Sequence, residues 1–240
     1  MTIVLTALSA IIPSLLLLWY FYERDLNPEP RAVLIKTFLL GILIVVPVII
    51  FCLPLRVFSS QLDHPILAGL YSALLCAAVP EEFFKFLVVT RYSARNPAFD
   101  EPMDGVVYGA TASLGFATLE NILYVAHGGW IVAVARAFTA VPCHACLGAI
   151  MGYYVGQARF NTRQKVSGRT GLLVAVILHG LYDFPLLVLP RLGRYAHAKS
   201  ALLLGMLALF LAVFAFKVIW TLRIVRRLRR EQVQVSKWSN

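Results

Sequence analysis

The sequence predicts an all-α polytopic membrane protein, one helix bundle of about seven transmembrane helices with its N-terminus outside and its C-terminus inside. Three observations predict it. Of 240 residues, 60% are hydrophobic and only 14% are charged, whereas soluble domains average about 45–50% apolar and about 25% charged residues. The mean hydropathy is +0.76. The apolar residues also gather in runs long enough to cross roughly 30 Å of hydrocarbon, which takes about 20 residues of helix.

The runs fall at about residues 3 to 21, 32 to 54, 65 to 90, 104 to 126, 130 to 157, 170 to 190 and 200 to 222. The first reads as a retained span rather than a signal peptide. Met1-Thr2 carries no basic n-region, and Glu23 and Asp25 follow without a small-residue cleavage site. Basic residues then alternate sides. The segments with Arg24, Arg31 and Lys36, with Arg91 and Arg95, with Arg159, Arg163, Lys165 and Arg169, and with Arg223 to Arg230 share one face. The positive-inside rule makes that face cytoplasmic. The segment with Arg191, Arg194 and Lys199 is the one discordant vote. The organisation expected is one transmembrane domain, residues 1–222, and a basic cytoplasmic tail, residues 223–240.

A net charge of +10 does not point to nucleic acid, because the bases sit at span ends and the densest run, "RIVRRLRR", directly follows the last span. Anionic cytoplasmic lipid is the partner that placement suggests. Cys52, Cys76, Cys143 and Cys146 fall in or at the edge of apolar runs, so no extracellular disulfide framework is visible. "CHAC" (143–146) reads as packing cysteines rather than metal ligands.

Ionisable residues inside the spans carry the functional information, since each costs at least about 2.5–3.5 kcal/mol at the bilayer centre. Glu81, Glu82 and Lys85 lie on the third span, Glu120 and Asn121 on the fourth, Arg136 and His144 on the fifth, and His179 and Asp183 on the sixth. Glu81 and Lys85 are four apart and share a face; Glu82 points about 100° away and is expected to have no local cation. His179 and Asp183 are likewise four apart, so a carboxylate can orient the ring, or both can address one ion. Arg136 reads as a structural or interfacial charge. At 1.5 Å per residue, Glu81 and His179 lie about 15 Å from the nearest cytoplasmic charges, His144 about 22 Å and Glu120 about 24 Å, so all four are able to meet near the midplane. Gly105, Gly109 and Ser113, and Gly148, Gly152 and Gly156, form small-xxx-small ridges suited to close helix packing.

Two histidines and several carboxylates in a water-poor setting match a catalytic zinc site, which uses three His or Asp/Glu ligands and an open position, with a further carboxylate as general base. The same residues also suit a glutamate mechanism without metal, in which Glu81 or Glu82 activates water. Proton-coupled carriers likewise use buried Glu, His and Asp chains. They commonly show inverted repeats, which this chain lacks. A catalytically silent protein that only binds membrane segments is the remaining alternative.

"VPEEFFKF" (79–86) resembles the EExxK signature of the PrsW family of intramembrane proteases, "GFATLENILY" (115–124) its FxxxE segment, and "LHGLYDF" (178–184) its HxxxD segment. "RDLNPEP", "MDGVVYGATASLGFATLEN" and "RAFTAVPCHACLGAIMGYYVG" are similar to that family as well, so the resemblance runs from about residue 23 to 190. It implies a bacterial cytoplasmic-membrane endopeptidase that makes the first cut in a membrane-tethered anti-sigma factor, within a superfamily that includes the prenyl-protein (CAAX) endopeptidases. It implies metal dependence, with activity carried by Glu81, Glu82, Glu120, His144, His179 and Asp183. The expected partition gives a Zn2+ ion to His144, His179 and either Glu120 or Asp183, with Glu82 as general base and Glu81 held by Lys85.

Overall fold

The computed structural model describes residues 2–161, 167–192 and 200–238. Arg163, Lys165, Arg194 and Lys199, used above for orientation, lie outside them. The described residues form helices and no strand: α1 (Thr2–Arg24), α2 (Arg31–Leu43), α3 (Val45–Ser60), α4 (Pro65–Tyr71), a π-helical stretch (Ser72–Ala78), α5 (Val79–Arg91), α6 (Pro102–Phe138), α7 (Ala140–Phe160), α8 (Gly168–Leu192) and α9 (Ser200–Trp238). Among the described residues, four helical runs are long and apolar enough to cross a membrane: Arg31–Ser60, Pro102–Phe160, Gly168–Leu192 and Ser200–Lys237.

Local chemistry sets the starts. Pro65 occupies the first turn of α4, after His64, whose ring accepts the Leu67 N–H at 3.4 Å. Pro102 opens α6, where Asp104 Oδ2 accepts the backbone N–H groups of Asp100 (2.6 Å) and Glu101 (2.7 Å) in a capping box. These devices satisfy donors that a helix end leaves unpaired. The π-helical stretch has a different consequence. Its wider turns shift the helical register, re-aiming the residues that follow, and those residues are Pro80, Glu81 and Glu82, all buried.

α6 is the spine of the bundle. Every residue from Met103 to Thr118 is buried, because small residues let neighbouring backbones close on it from two sides. Gly105 and Gly109 meet Gly152 and Gly148 of α7 backbone to backbone, and Gly115 faces Phe38 and Gly41 of α2. The ridges expected from sequence are thus the α6–α7 contact. Without a hydrophobic driving force between helices in lipid, such close approach supplies the packing.

The gap between the runs 104 to 126 and 130 to 157 proves to be a sharp reversal. Gly129 takes φ 68°, residues 130–138 form their own helical segment, and a second break at Thr139 precedes α7. Arg136 therefore belongs to a segment folded back on α6, not to the helix that carries His144.

Several polar and charged side chains from distant elements gather at one end. The side chain of Gln232 on α9 bonds Asp25, after α1, at 2.6 Å and also Glu101, before α6. Arg159 of α7 donates to the Ala94 carbonyl after α5. α9 continues unbroken through the basic run, burying Ile224, Val225 and Leu228 while Arg223, Arg226, Arg227 and Arg230 stay exposed. All four cysteines are buried and free.

A side chain at Gly109 would strike the Gly148 carbonyl. Gly109→Val should therefore destabilise the bundle by about 1–3 kcal/mol or more, read as a lower thermal midpoint in detergent; an unchanged midpoint would mean that this contact does not hold α6 to α7.

Candidate active site

Four helices and the returning segment bring every expected site residue to one place. The re-aimed start of α5 supplies Glu81, Glu82 and Lys85; α6 supplies Glu120, α7 His144, and α8 His179 and Asp183, one turn apart. The two imidazole rings meet edge to face with centroids 5.4 Å apart, and Phe116 packs on His144 at 5.8 Å.

Lys85 is the centre of the cluster. Fully buried, its Nζ donates to Glu82 Oε1 at 2.8 Å and to Glu81 Oε2 at 3.3 Å, and it faces His144 Nδ1 at 3.1 Å. The expectation that Glu82 lacks a local cation is therefore wrong. A long lysine side chain three residues on reaches across the 100° offset, so Lys85 serves both glutamates. The Lys85 ammonium also lies over the Phe116 ring, 4.2 Å from its centroid.

Each histidine is held from both sides. Lys85 has donors only, so His144 Nδ1 accepts from it and the proton stays on Nε2, which donates to Glu120 Oε2 at 3.0 Å. His179 sits between Glu82 Oε1 at Nδ1 (2.8 Å) and Asp183 Oδ2 at Nε2 (3.2 Å), with Glu81 Oε2 4.0 Å from the latter. Glu120 is fixed in turn by Arg136, whose Nη2 lies 2.6 Å from Oε2 while its Nε bonds Asn121 Oδ1 at 2.8 Å. The Arg136 guanidinium stacks over the Tyr124 ring at 4.0 Å. Arg136 is thus part of the site. Its position eight residues before His144, just past a Gly-Gly pair, was the available sequence signal.

These groups border a cleft of about 960 Å³ lined by Glu81, Glu120, Arg136, His144, His179 and Asp183, but not by Glu82 or Lys85. Glu82 lies behind the rings, completely buried, and its Oε2 has no hydrogen-bond partner among the described residues. Single ligand atoms of Glu81, Glu82, His144 and His179 lie within 4.8 Å of one another. Glu120 and Asp183 stand outside that group, bonded to the histidines. Four carboxylates against Lys85, Arg136 and a His179 ring with a carboxylate at each nitrogen still leave an excess of negative charge.

A family model for the PrsW family intramembrane metalloprotease matches residues 29–220. The chain belongs to this family. Similar curated relatives named Protease PrsW include that of Geobacillus kaustophilus (strain HTA426), 39% identical over 189 residues, covering 78% of this chain and 82% of the relative. That of Bacillus subtilis (strain 168) is 38% identical over 186 residues, covering 75% and 82%, and that of Clostridioides difficile (strain 630) 30% identical over 189 residues, covering 75% and 79%. No solved structure matches. The chain is therefore an intramembrane protease embedded in a membrane, and the carrier reading falls. The match places the PrsW region across α2 to α9, with all the residues of the cleft inside it.

Because Lys85 is shared, its loss strands two buried carboxylates, which costs about 3–5 kcal/mol when a buried pair is broken from one side. Lys85→Met should lower the thermal midpoint sharply. Adding Glu82→Gln to it should recover part of the loss; a double variant no more stable than Lys85→Met would show that Glu82 does not depend on this cation.

Proposed function

We propose that the cleft hydrolyses a peptide bond in or beside the membrane-spanning region of a membrane protein, an anti-sigma-factor-like substrate, with Glu81 transferring the protons. The observation that carries this reading is the division between the paired glutamates: Glu81 lines the cleft beside both histidines, whereas Glu82 is sealed behind them. The base has to reach the attacking water. That favours Glu81, rather than the Glu82 expected from sequence, to take a proton from water and pass it to the leaving amine. Glu82 positions Lys85 and His179 from behind. Glu120 and Asp183 fix the rings of His144 and His179, and Arg136 holds Glu120 in place.

A zinc-type ion fits the donor set. Two carboxylates and two imidazoles converge, Glu82 keeps one buried oxygen without a partner, and the local charge is negative. His144, His179 and Glu82 would hold it once Lys85 releases His144 Nδ1 and His179 Nδ1, now facing Glu82, gives up its proton, with Glu120 and Asp183 as the carboxylates behind the rings that such sites use to orient their histidines. When bound, the ion supplies Lewis-acid activation of water and of the scissile carbonyl. The same residues also support a metal-independent glutamate mechanism; in that version the cationic Lys85 is a fixed positive charge touching both glutamates.

The shared end reached by Asp25, Ala94, Glu101, Arg159 and Gln232 supports a seven-crossing arrangement with a cytoplasmic C-terminus, in which α2–α3 and α4–α5 each make one crossing. Residues 1–222 then form the catalytic domain in a bacterial cytoplasmic membrane, and the exposed arginines of the 223–240 region meet anionic lipid.

Co-reconstitution with a single-span substrate tests the chemistry. Glu81→Gln should lower the cleavage rate by about 10²–10⁴-fold, the usual worth of a general acid or base, with the thermal midpoint retained. Glu82→Gln and His179→Ala should also fail, and Glu82→Gln should be the less stable of the glutamate variants. Reversible loss on chelation supports the metal version; full activity with less than about a tenth of a mole of zinc per mole of protein supports the glutamate version. Cleavage by Glu81→Gln at the wild-type rate would overturn the assignment.

A further inference from the structure

A second acidic cluster lies where the α1–α2 turn meets the start of α6. Asp25, Glu29 and Asp104 are 5%, 4% and 0% exposed, and one carboxylate oxygen from each lies within 4.8 Å of the other two. Part of each group's capacity is spent on structure. Asp25 Oδ1 accepts from the Asn27 N–H (3.0 Å) and from Gln232, Glu29 Oε2 accepts from the Tyr108 hydroxyl, and Asp104 Oδ2 caps α6. What remains is acceptor only. Among the described residues Asp25 Oδ2 and Asp104 Oδ1 are buried without a hydrogen-bond partner, and the Glu29 and Asp104 carboxyls lie within hydrogen-bonding reach of one another.

No Lys, Arg or His among the described residues pairs with any of the three. The active-site carboxylates, by contrast, each contact a lysine, arginine or histidine. Buried this deeply, carboxylate charges are costly to hold without a counter-ion. All available donors are oxygens, with neither nitrogen nor sulfur, which suits a hard cation rather than zinc. The exposed Asn27 and half-buried Glu101, joined at 3.2 Å, lie beside it, so the cluster sits close to the surface. We propose that Asp25, Glu29 and Asp104 bind a hard divalent cation of the Mg2+, Ca2+ or Mn2+ class, pinning the α1–α2 turn to the head of α6 beneath Gln232 of α9.

Mn2+ is the probe. Full-length protein in uncharged detergent, stripped with chelator, is titrated with Mn2+ while free ion is followed by electron paramagnetic resonance, and thermal unfolding is followed in parallel. A His144→Ala/His179→Ala background weakens the catalytic cluster as a competing site, and the Glu29→Gln variant assigns whatever ion remains bound. In that background the expected result is one saturable Mn2+ per chain, displaced by Mg2+ or Ca2+, with a raised thermal midpoint. Glu29→Gln and Asp104→Asn should each weaken binding at least tenfold and abolish the thermal shift. Because Asp104 also caps α6, Glu29→Gln decides if Asp104→Asn fails to fold. No saturable binding at millimolar Mn2+, or binding unchanged by Glu29→Gln, would overturn the proposal and leave a proton shared between Glu29 and Asp104 as what holds the cluster together. Neither result bears on proteolysis, which is read separately.

Discussion

The site depends on one buried ammonium. Lys85 has no exposed surface, and in an apolar interior a charge persists only if it is paired and hydrogen-bonded. It meets that demand by holding both glutamates of the EExxK segment and the Nδ1 of His144. From there the order propagates: His144 is fixed in one tautomer, its other nitrogen is committed to Glu120, and Glu120 is committed to Arg136. On the opposite side Glu82 carries the same order to His179 and Asp183. Removing one member leaves its neighbours charged and unpaired, so the network is held as a unit.

Rigid packing makes such a network possible. α6 is clamped by α2 and α7 through glycine contacts with no room for a Cβ, so the distance between Glu120 and His144 is set by backbone contact rather than by adjustable side chains. The flanking elements are irregular where the site needs re-aiming. The π-helical stretch before α5 turns Glu81 and Glu82 inward, and Gly129, at φ 68°, reverses the chain so that Arg136 returns to Glu120. Regular helices position the site, and the two irregularities direct its charges. α9 contributes differently, placing buried Lys217 against Cys143 and over the Tyr182 ring, 3.9 Å from its centroid, behind the cleft.

Much of this was legible from the residue order. Composition and run length gave the helical membrane class, because crossing hydrocarbon leaves few other backbone solutions. The cost of intramembrane charge singled out the polar residues of four consecutive runs, and the family resemblance narrowed them to Glu81, Glu82, Glu120, His144, His179 and Asp183; the structure places five of these on one cleft and Glu82 directly behind it. The small-xxx-small ridges foretold the α6–α7 contact. These features depend on composition, local spacing and the solvent, which a linear chain states openly.

What the chain could not state was relative rotation and reach. Helical spacing assigned Lys85 to Glu81 alone, because a wheel counts angles and ignores how far a lysine stem bends; in three dimensions the same ammonium serves both glutamates. Spacing also gave Glu81 and Glu82 no distinction in access, whereas packing against α7 and α8 leaves one in the cleft and buries the other. Arg136 looked interfacial until the reversal at Gly129 brought it back. Asp25, Glu29 and Asp104 stand nearly 80 residues apart at the extremes, and only the meeting of α1, α6 and α9 makes them one cluster. Sequence alone determined which groups must leave the lipid; tertiary structure decided which of them meet, because pairing energy depends on distances that no local periodicity encodes.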